Sequence, residues 1–348
     1  MYAITDLFEE SVQKFGSNVY LWEKKNDKYT AATYREVNVL VHRFAAGLVK
    51  LGIRKGDRIA LISEGRNDWV VSELGILYAG AINVPLSVKL SNPAEIEFRL
   101  HHAEVRMVIT SKGQINKIRS VMSALPKLEK VIVLDSLGNY EKNEIYFQDI
   151  LNSGEEFIRT SKTEYDAIWK SVKPDDLANI CYTSGTTSDP KGIMLTHRNY
   201  TANTEQSMSL MDVPDWYVTL MTLPWDHAFA HTVGIYTVMR AGASLASVQN
   251  GSTPMETLRN IPVNIKEIKP HFLLSVPALA KNFRKNIETG IDAKGKLIKA
   301  LFQFGLKVAY SYNGDDWRKG KGWRFILKPF YAIIDKIIFK KVLLFGWF

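Results

Sequence analysis

The amino-acid sequence predicts an α/β fold in which two sheets, each covered by helices, stack as two αβα layers. Two observations lead to this fold class. Short apolar strands without regular polar alternation are separated by helical segments, which is typical of a parallel sheet covered on both faces. The same alternation then repeats in the second half of the chain, and 348 residues are enough for two or three such subdomains.

The first part of the chain is predicted to form a helix, a hairpin and a second helix. Apolar side chains at helical spacing mark the helix at 7–15, and two short strands at 19–22 and 29–30 flank a polar turn. The second helix runs from Tyr34 to Leu51. It is expected to end at Gly52, because glycine readily adopts the left-handed conformation that closes a helix.

Strands and helices alternate from residue 58 onward. The predicted strands are 58–62, 81–86, 107–110, 131–134, 178–183, 218–223, 244–248 and 272–277. The predicted helices are 67–79, one beginning at Ser91, 115–125, 198–211 and one beginning at Ala278. The polar segment 161–174 is predicted to be a connector. We expect residues 56–215 to form one αβ subdomain, and residues 1–55 together with 216–348 to form the second.

The single cysteine and the N-terminus exclude several kinds of protein. One cysteine, Cys181, allows neither an internal disulfide nor a zinc ribbon. It lies in an apolar run, so we expect a buried small hydrophobic residue rather than a nucleophile. The N-terminus lacks the apolar core of a signal peptide, and no stretch of 18 apolar residues is found. These features predict a cytoplasmic location.

The net charge of +9 is concentrated near the C-terminal end. Between residues 318 and 341 there is one acid, Asp335, and eight basic residues: Arg318, Lys319, Lys321, Arg324, Lys328, Lys336, Lys340 and Lys341. A general nucleic-acid binder would place its basic surface on a known module, and the sequence contains none. We therefore expect no nucleic-acid partner.

A segment rich in small hydroxyl residues and glycine, Tyr182 to Gly192, follows a predicted strand and ends in Pro-Lys-Gly. Glycines let backbone N–H groups approach phosphate, serine and threonine add donors, and a lysine supplies positive charge. The segment is not a Walker A loop, because Lys191 is followed by Gly192 rather than by serine or threonine. The Gly-x-Gly-x-x-Gly fingerprint of dinucleotide binding is also missing.

This segment, with Ile193 to His197 after it, resembles the signature loop of the AMP-forming superfamily that comprises acyl-CoA synthetases, luciferases and peptide-synthetase adenylation domains. Ser188 departs from the glycine that the family usually has. Four further segments resemble family motifs in the same order: Thr33-Tyr34-Arg35-Glu36, Tyr78 to Leu86, Leu223-Pro224-Trp225-Asp226-His227-Ala228-Phe229, and Ser275-Val276-Pro277-Ala278. The segment from Asp292 to Lys341 is most similar to the long-chain fatty acid–CoA ligase branch.

The resemblance implies the large N-terminal domain of an adenylate-forming enzyme and a reaction in two steps. A fatty acid or another carboxylate attacks the α-phosphate of ATP, and the thiol of coenzyme A then displaces AMP. The residues implied to hold the phosphates are Thr183, Ser184, Gly185, Thr186, Thr187 and Lys191, with Thr186 also placing Mg²⁺. His227 is implied to lie beside the acyl pocket, as the catalytic candidate. His197 is expected to be structural, and a metal pair of His227 with His231 is not expected without a third ligand.

Several family motifs are not found in the sequence. They are a Tyr-Gly-x-Thr-Glu motif for adenine and magnesium, an aspartate for the ribose, a hinge, and a small mobile domain with a catalytic lysine. On this basis the sequence predicts an incomplete N-terminal domain, no mobile C-terminal domain, and a truncated chain that has no ligase activity by itself. Acyl chain length and oligomeric state are left open by the sequence.

A second interpretation concerns the segment from Trp323 to Val342, in which apolar residues alternate with lysines. Such a segment is typical of a basic amphipathic helix at a membrane surface, or of a core helix whose lysines face solvent. The alternative function is therefore a non-catalytic protein that binds acyl groups or a membrane surface, in peripheral contact with the inner face of the membrane.

Overall fold

The computed structural model describes residues 2–183, 189–314 and 320–340, except for the side chain of Ala278. The chain divides into two compact units, Met1–Leu274 and Ser275–Phe348. The first unit contains all the strands of the described residues, arranged in two sheets that are flanked by helices. The α/β class with two sheets, predicted from the sequence, is confirmed.

The strands are β1 Val19–Lys25, β2 Lys28–Thr33, β3 Arg58–Ile62, β4 Ile82–Pro85, β5 Met107–Thr110, β6 Lys130–Val133, β7 Glu144–Tyr146, β8 Leu177–Thr183, β9 Lys191–Thr196, β10 Val218–Met221, β11 Ser244–Ser247 and β12 Phe272–Leu274. The helices are α1 Ile4–Phe15, α2 Tyr34–Lys50, α3 Asn67–Tyr78, α4 Pro93–His102, α5 Ile115–Arg119, α6 Phe147–Trp169, α7 His197–Leu210, α8 Thr237–Ala241, α9 Pro254–Ile268, α10 Pro277–Asp292, α11 Lys296–Asn313 and α12 Lys328–Ile334. Short 3₁₀ segments cover Met122–Ala124 and Gly322–Leu327, and π-helical turns cover Ala230–Tyr236 and Asp335–Phe339.

The larger sheet has seven strands in the order β7-β6-β5-β3-β4-β8-β9, all parallel except β9, which runs antiparallel to β8. The smaller sheet has the order β12-β10-β11-β1-β2. The N-terminal hairpin of β1 and β2 therefore joins strands that follow residue 216, through parallel pairing of β1 with β11. The subdomain boundaries at 55/56 and 215/216 stay a prediction.

Helix α3 is buried along almost its whole length, from Trp69 to Tyr78. Its side chains belong to a core cluster that also contains Leu21 and Leu245 from the smaller sheet and Ile59 and Leu61 from the larger one. Burial on all sides explains why α3 has an apolar surface all round rather than one apolar stripe. Any polar side chain on α3 must consequently find its partners inside the protein.

The start of α2 is tied to the end of α8 by the hydroxyl group of the buried Tyr34. This hydroxyl lies within hydrogen-bond distance of the carbonyl oxygens of Ala243 at 2.8 Å and Val238 at 3.1 Å. Carbonyl groups at the end of a helix lack partners within the helix, and a side-chain donor satisfies one of them. Tyr34 therefore stabilises the junction between the start of α2 and the end of α8.

Two predicted segments differ from the structure in how much of them is helical. The connector predicted at 161–174 is largely helical, because α6 continues to Trp169 with one break in helical geometry at Ser161. The apolar face of this second part packs inward: Tyr165 is buried, and its hydroxyl lies 2.8 Å from Nδ1 of His42 on α2. The helix predicted at 115–125 ends at Arg119 and is followed by the 3₁₀ turn.

Helices α2 and α6 cross closely, and Gly154 of α6 makes the approach possible. A Cβ atom at this position would overlap the carbonyl oxygen of Arg43 on α2. We expect Gly154→Ala to destabilise the protein by about 1–3 kcal/mol, because the overlap is with backbone that cannot rotate away. Urea unfolding followed by circular dichroism measures this change.

Gly290 in α10 is the matched control, because a Cβ atom there meets nothing within 4 Å. Gly290→Ala should leave the unfolding midpoint unchanged or raise it slightly, since alanine favours helix more than glycine does. Equal midpoints for the Gly154→Ala variant and the unmodified protein would contradict the close crossing.

Candidate functional site

The two ends of the predicted phosphate loop lie opposite each other at the end of a strand pair. Thr183 is the last residue of β8, Lys191 is the first residue of β9, and the two are paired across the strands. Both side chains are exposed. The candidate residues Ser184, Gly185, Thr186 and Thr187 lie outside the described residues. The structure thus brings together the first and last of the phosphate-binding candidates at the base of the loop.

The strand that follows the loop was not predicted from the sequence. The loop leads into a further strand, β9, and helix α7 begins only at His197. Lys191 to Thr196 pair antiparallel with β8 and form the edge of the larger sheet. The Thr196 side chain accepts a hydrogen bond from the backbone N–H of Asn199, which fixes the start of α7. The loop is therefore held by a hairpin.

The side chain of Tyr182 anchors the first strand of this hairpin. Its hydroxyl donates to the carbonyl oxygen of Arg99 at 3.2 Å, and His102 Nδ1 lies 2.8 Å from the same hydroxyl. Because a carbonyl can only accept, the Nδ1–H group of His102 is the donor to Tyr182. Partial burial raises the pKa of Tyr182 to about 12, so the hydroxyl stays neutral. These contacts fasten the base of the loop to helix α4.

His227 lies on a tight turn between β10 and the π-helical turn. The backbone N–H of His227 donates to the carbonyl of Pro224 at 3.2 Å, and the N–H of Phe229 donates to His227 Nδ1 at 3.3 Å. Nδ1 is therefore an acceptor, so the neutral ring carries its proton on Nε2. The side chain is exposed. This geometry leaves His227 Nε2 as a hydrogen-bond donor at the surface of the turn.

The neighbouring Trp225 holds the same turn against the larger sheet. Its indole ring lies over Gly65, where any Cβ atom would overlap the ring, and it packs edge-on against Trp69 of α3 with ring centres 5.6 Å apart. Glycine at position 65 is therefore needed for this close approach.

A fully buried polar network lies beneath β8 and the turn. Glu73 of α3 accepts from the hydroxyl of Tyr236 at 2.6 Å and from the Asn179 amide of β8 at 3.2 Å. The Asn179 amide nitrogen also lies 2.9 Å from Nδ1 of His231, and His231 Nε2 lies 2.8 Å from the carbonyl oxygen of Trp225. The network connects α3 and β8 to the turn of His227.

Burial determines the charges of the two titratable groups in this network. It raises the pKa of Glu73 to about 7 and lowers the pKa of His231 to about 4. His231 Nδ1 lies 3.7 Å from the Glu73 carboxyl group. Near neutral pH this contact joins an uncharged imidazole to the carboxyl group, and it is not an ion pair.

This network was not predicted from the sequence. One signal was present, because Glu73 is the one charged residue in the buried stretch of α3 from Trp69 to Tyr78, and Asn83 and Asn179 are amides within apolar strands. Asn83 also contacts the Glu73 carboxyl group. Asn83 is 10 residues and Asn179 is 106 residues away from Glu73 in the sequence. Hydrophobic periodicity does not reveal contacts between such pairs.

The remaining candidates take the following positions. Cys181 is buried, as predicted, and burial raises the pKa of its thiol to about 12, which leaves it unsuited to act as a nucleophile at neutral pH. Within the described residues, no three His, Cys, Asp or Glu side chains form a group that could hold a metal ion. No helix among residues 2–183, 189–314 and 320–340 has the length and apolar character needed to cross a bilayer.

Comparison with known proteins finds relatives of this chain. The family model described as "AMP-binding enzyme" matches residues 8–319. A long-chain fatty acid–CoA ligase, ACSBG2, of Xenopus laevis is 26% identical over 97% of this chain and 45% of its own length. A probable acyl-activating enzyme 16 of Arabidopsis thaliana chloroplasts is 27% identical over 98% of this chain and 50% of its own length. The chain spans about half the length of the curated relatives it matches.

Solved structures share the same fold. The anthranilate CoA ligase AuaEII in complex with anthranoyl-AMP superposes with a TM-score of 0.69 at 21% identity, over 82% of this chain and 51% of its own. The N-terminal domain of FACL13 from Mycobacterium tuberculosis superposes with a TM-score of 0.66 at 24% identity, over 82% of this chain and 65% of its own. At these identities the similarity shows the fold alone.

His197, expected to be structural, lies at the start of α7 and makes folding sensitive to pH. Its ring is buried, Nδ1 accepts from the backbone N–H of Ile4 at 3.3 Å, and burial lowers its pKa to about 4. The unfolded chain takes up this proton near pH 6.5. Stability is therefore lost as the pH falls from about 6.5 towards 4, with a slope approaching about 1.4 kcal/mol per pH unit.

We expect His197→Gln to remove this contribution from the pH dependence of the unfolding free energy, because glutamine accepts the same hydrogen bond without titrating. His101→Gln is the control, since His101 is exposed on α4. Parallel profiles of unfolding free energy against pH for His197→Gln and the unmodified protein, between pH 4 and 6.5, would contradict a buried and uncharged His197 in the folded protein.

Proposed function

This chain belongs to the AMP-binding enzyme family, and on that premise we propose that it binds ATP and a carboxylic acid as part of an acyl-activating ligase. The observation that carries the proposal is the pairing of Thr183 with Lys191 at the base of the loop. A hydroxyl donor and a cation lie there at the end of a strand pair, and the segment between them in the sequence is rich in hydroxyl residues and contains Gly185.

We assign the β- and γ-phosphates of ATP to Thr183, Ser184, Gly185, Thr186, Thr187 and Lys191. The contribution of these residues is positioning and charge neutralisation, not covalent catalysis. The Tyr182 contacts to α4 support this assignment, because they hold one end of the loop in place.

The proposed reaction has two steps. A carboxylate oxygen of the acid forms a bond to the α-phosphorus of ATP, and the bond from that phosphorus to the pyrophosphate oxygen breaks. The thiol sulfur of coenzyme A then bonds to the acyl carbon, AMP leaves with the electron pair of the acyl–oxygen bond, and the thiol proton is released. ATP and coenzyme A are consumed as substrates.

Mg²⁺ is the proposed metal cofactor, with Thr186 as the protein residue that helps to place it. Mg²⁺ prefers oxygen ligands and is usually bound through few protein groups together with substrate phosphates. The hydroxyl groups of this loop fit that preference. When bound, Mg²⁺ would neutralise phosphate charge, and Lys191 would supply a further positive charge.

His227 is the proposed residue on the acyl side. Its Nε2 proton, left free by the Nδ1 bond to the Phe229 N–H, is available to a carboxylate or to a developing oxyanion. The acid is proposed to be a fatty acid of the long-chain class, in accord with the names of the relatives from Xenopus laevis, rat and human.

Membership of an enzyme family does not favour the alternative of a non-catalytic binding protein. Peripheral membrane contact is nevertheless proposed as a property of the same protein. Within the described residues 320–340, six large apolar side chains are exposed: Trp323, Phe325, Ile326, Phe330, Ile333 and Ile337. Lys321, Arg324 and Lys328 lie among them, and such a mixture suits the anionic inner face of a membrane. Arg318, Lys319 and Lys341 lie outside the described residues.

Replacing Trp323, Phe325 and Ile326 together by serine should reduce co-flotation of the chain with vesicles containing anionic lipid, because the apolar contact area is lost. Leu297→Ser is the control, since Leu297 is an exposed apolar residue of α11. Equal flotation of the triple variant and the unmodified chain would reject the membrane contact.

Lys191→Ala should weaken binding of MgATP by roughly 10-fold or more, because a charge-assisted contact with phosphate is worth about 1.5–3 kcal/mol. Isothermal titration calorimetry with the 348-residue chain measures the affinity. Lys142→Ala is the matched control, as Lys142 is an exposed lysine between β6 and β7. Similar losses in both variants would mean that the effect is not local to the loop.

The same preparation tests turnover. These 348 residues by themselves are expected to bind MgATP without releasing pyrophosphate when a fatty acid is added, because the sequence contains no Tyr-Gly-x-Thr-Glu motif. Pyrophosphate release that depends on both fatty acid and ATP would contradict this part of the proposal. Failure of the unmodified chain to bind MgATP would contradict the assignment of the loop.

A further inference from the structure

The imidazole of His231 joins two parts of the first unit through its two ring nitrogens. Nε2 lies 2.8 Å from the carbonyl oxygen of Trp225, and Nδ1 lies 2.9 Å from the amide nitrogen of Asn179. The carbonyl can only accept, so Nε2 carries the proton and Nδ1 accepts from the amide. Each ring nitrogen thus has a partner of the required type, one on the turn of His227 and one on β8.

The orientation of Asn179 is set in turn by Glu73 of α3 and Tyr200 of α7. Its amide nitrogen is 3.2 Å from the Glu73 carboxyl group and 2.9 Å from the hydroxyl of Tyr200. The side chains of Glu73, Asn179 and His231 are fully buried. Hydrogen bonds in such a dry environment are costly to break, because a freed polar group finds no water.

We propose that His231 is a positioning residue, which fixes the Pro224–Phe229 turn, and with it His227, relative to the strand that leads into the phosphate loop. Asn179 and Glu73 orient the imidazole from the opposite side. The proposal rests on the function proposed above, since it assigns the acyl side to His227. It explains why a polar histidine occupies an interior position between Trp69 and Tyr236.

The charge state of His231 agrees with this role. Burial keeps the ring neutral down to about pH 4, the value to which its pKa is lowered. A neutral ring donates from one nitrogen and accepts at the other, whereas a charged ring would donate from both and lose the Asn179 contact. The arrangement of one donor and one acceptor is therefore kept at neutral pH.

Two substitutions separate positioning from general packing. His231→Gln keeps one N–H donor for the Trp225 carbonyl and one oxygen acceptor for the Asn179 amide. His231→Leu fills a similar volume and removes both. Tyr34→Phe is the stability control, because it loses buried hydrogen bonds at the end of α8 and leaves the turn untouched.

The readout is ¹⁹F NMR of the full chain labelled with 5-fluorotryptophan. The chain has eight tryptophans, and the resonance of Trp225 is assigned as the one lost in Trp225→Phe. We expect the Trp225 resonance to shift and broaden in His231→Leu, and to stay near its original position in His231→Gln and Tyr34→Phe. An unchanged Trp225 resonance in His231→Leu, or equal changes in all three variants, would overturn the proposal.

Ligand binding extends the test to the site. Affinity for a fluorescent long-chain fatty acid should fall roughly 10- to 100-fold in His231→Leu, because misplacement by about 1 Å has effects of that size. His231→Gln should recover most of the affinity for the fatty acid. In His231→Leu the affinity for MgATP should change less than about twofold, because the substitution lies outside the phosphate loop. If the unmodified chain binds no fatty acid, the proposed acyl function fails, while the ¹⁹F comparison still decides the positioning role.

Discussion

The carboxyl group of Glu73 lies inside the first unit without access to solvent, and the surrounding structure must supply all its partners. Helix α3 is buried on every side, so these partners come from other elements: Asn83 on β4, Asn179 on β8 and Tyr236 on the π-helical turn. An unpaired carboxyl group there would be strongly destabilising. The hydrogen bonds to the Glu73 carboxyl group hold two strands of the larger sheet and the segment after β10 together. The candidate site residues lie on these elements and on β9, which pairs with β8.

The candidate site residues lie at the exposed ends of these elements. Thr183 and Lys191 are exposed at the end of a strand pair, and His227 is exposed on a tight turn. Exposure lets these groups meet a ligand, while partly buried neighbours hold their backbones: Tyr182 is hydrogen-bonded to α4, and Trp225 packs over Gly65. Binding residues on loops supported by a buried scaffold are a common arrangement in α/β proteins.

Local patterns predicted most of the elements because they depend on neighbouring residues. The apolar run at 58–62 matches β3, and the helix predicted from Tyr34 matches α2. In the structure Thr33 fixes the start of α2 by accepting from the N–H of Glu36. The predictions failed where tertiary contacts override local polarity. Ser161 to Trp169 has a polar composition, and it is helical because Tyr165 packs against His42 of α2. Lys191 to Thr196 becomes a strand because β8 offers an edge to pair with.

The sequence by itself determined the α/β class, the loop from Tyr182 to Gly192 and its resemblance to the adenylate-forming superfamily, since hydroxyl density, glycine spacing and apolar periodicity are local properties. Tertiary structure alone decided that Thr183 faces Lys191, that β8 and β9 pair as a hairpin, and that Glu73, Asn179 and His231 meet in the interior beside β8. The physical reason is distance along the chain: Glu73 and Tyr236 are 163 residues apart, and only folding brings the carboxyl group and the hydroxyl within 2.6 Å.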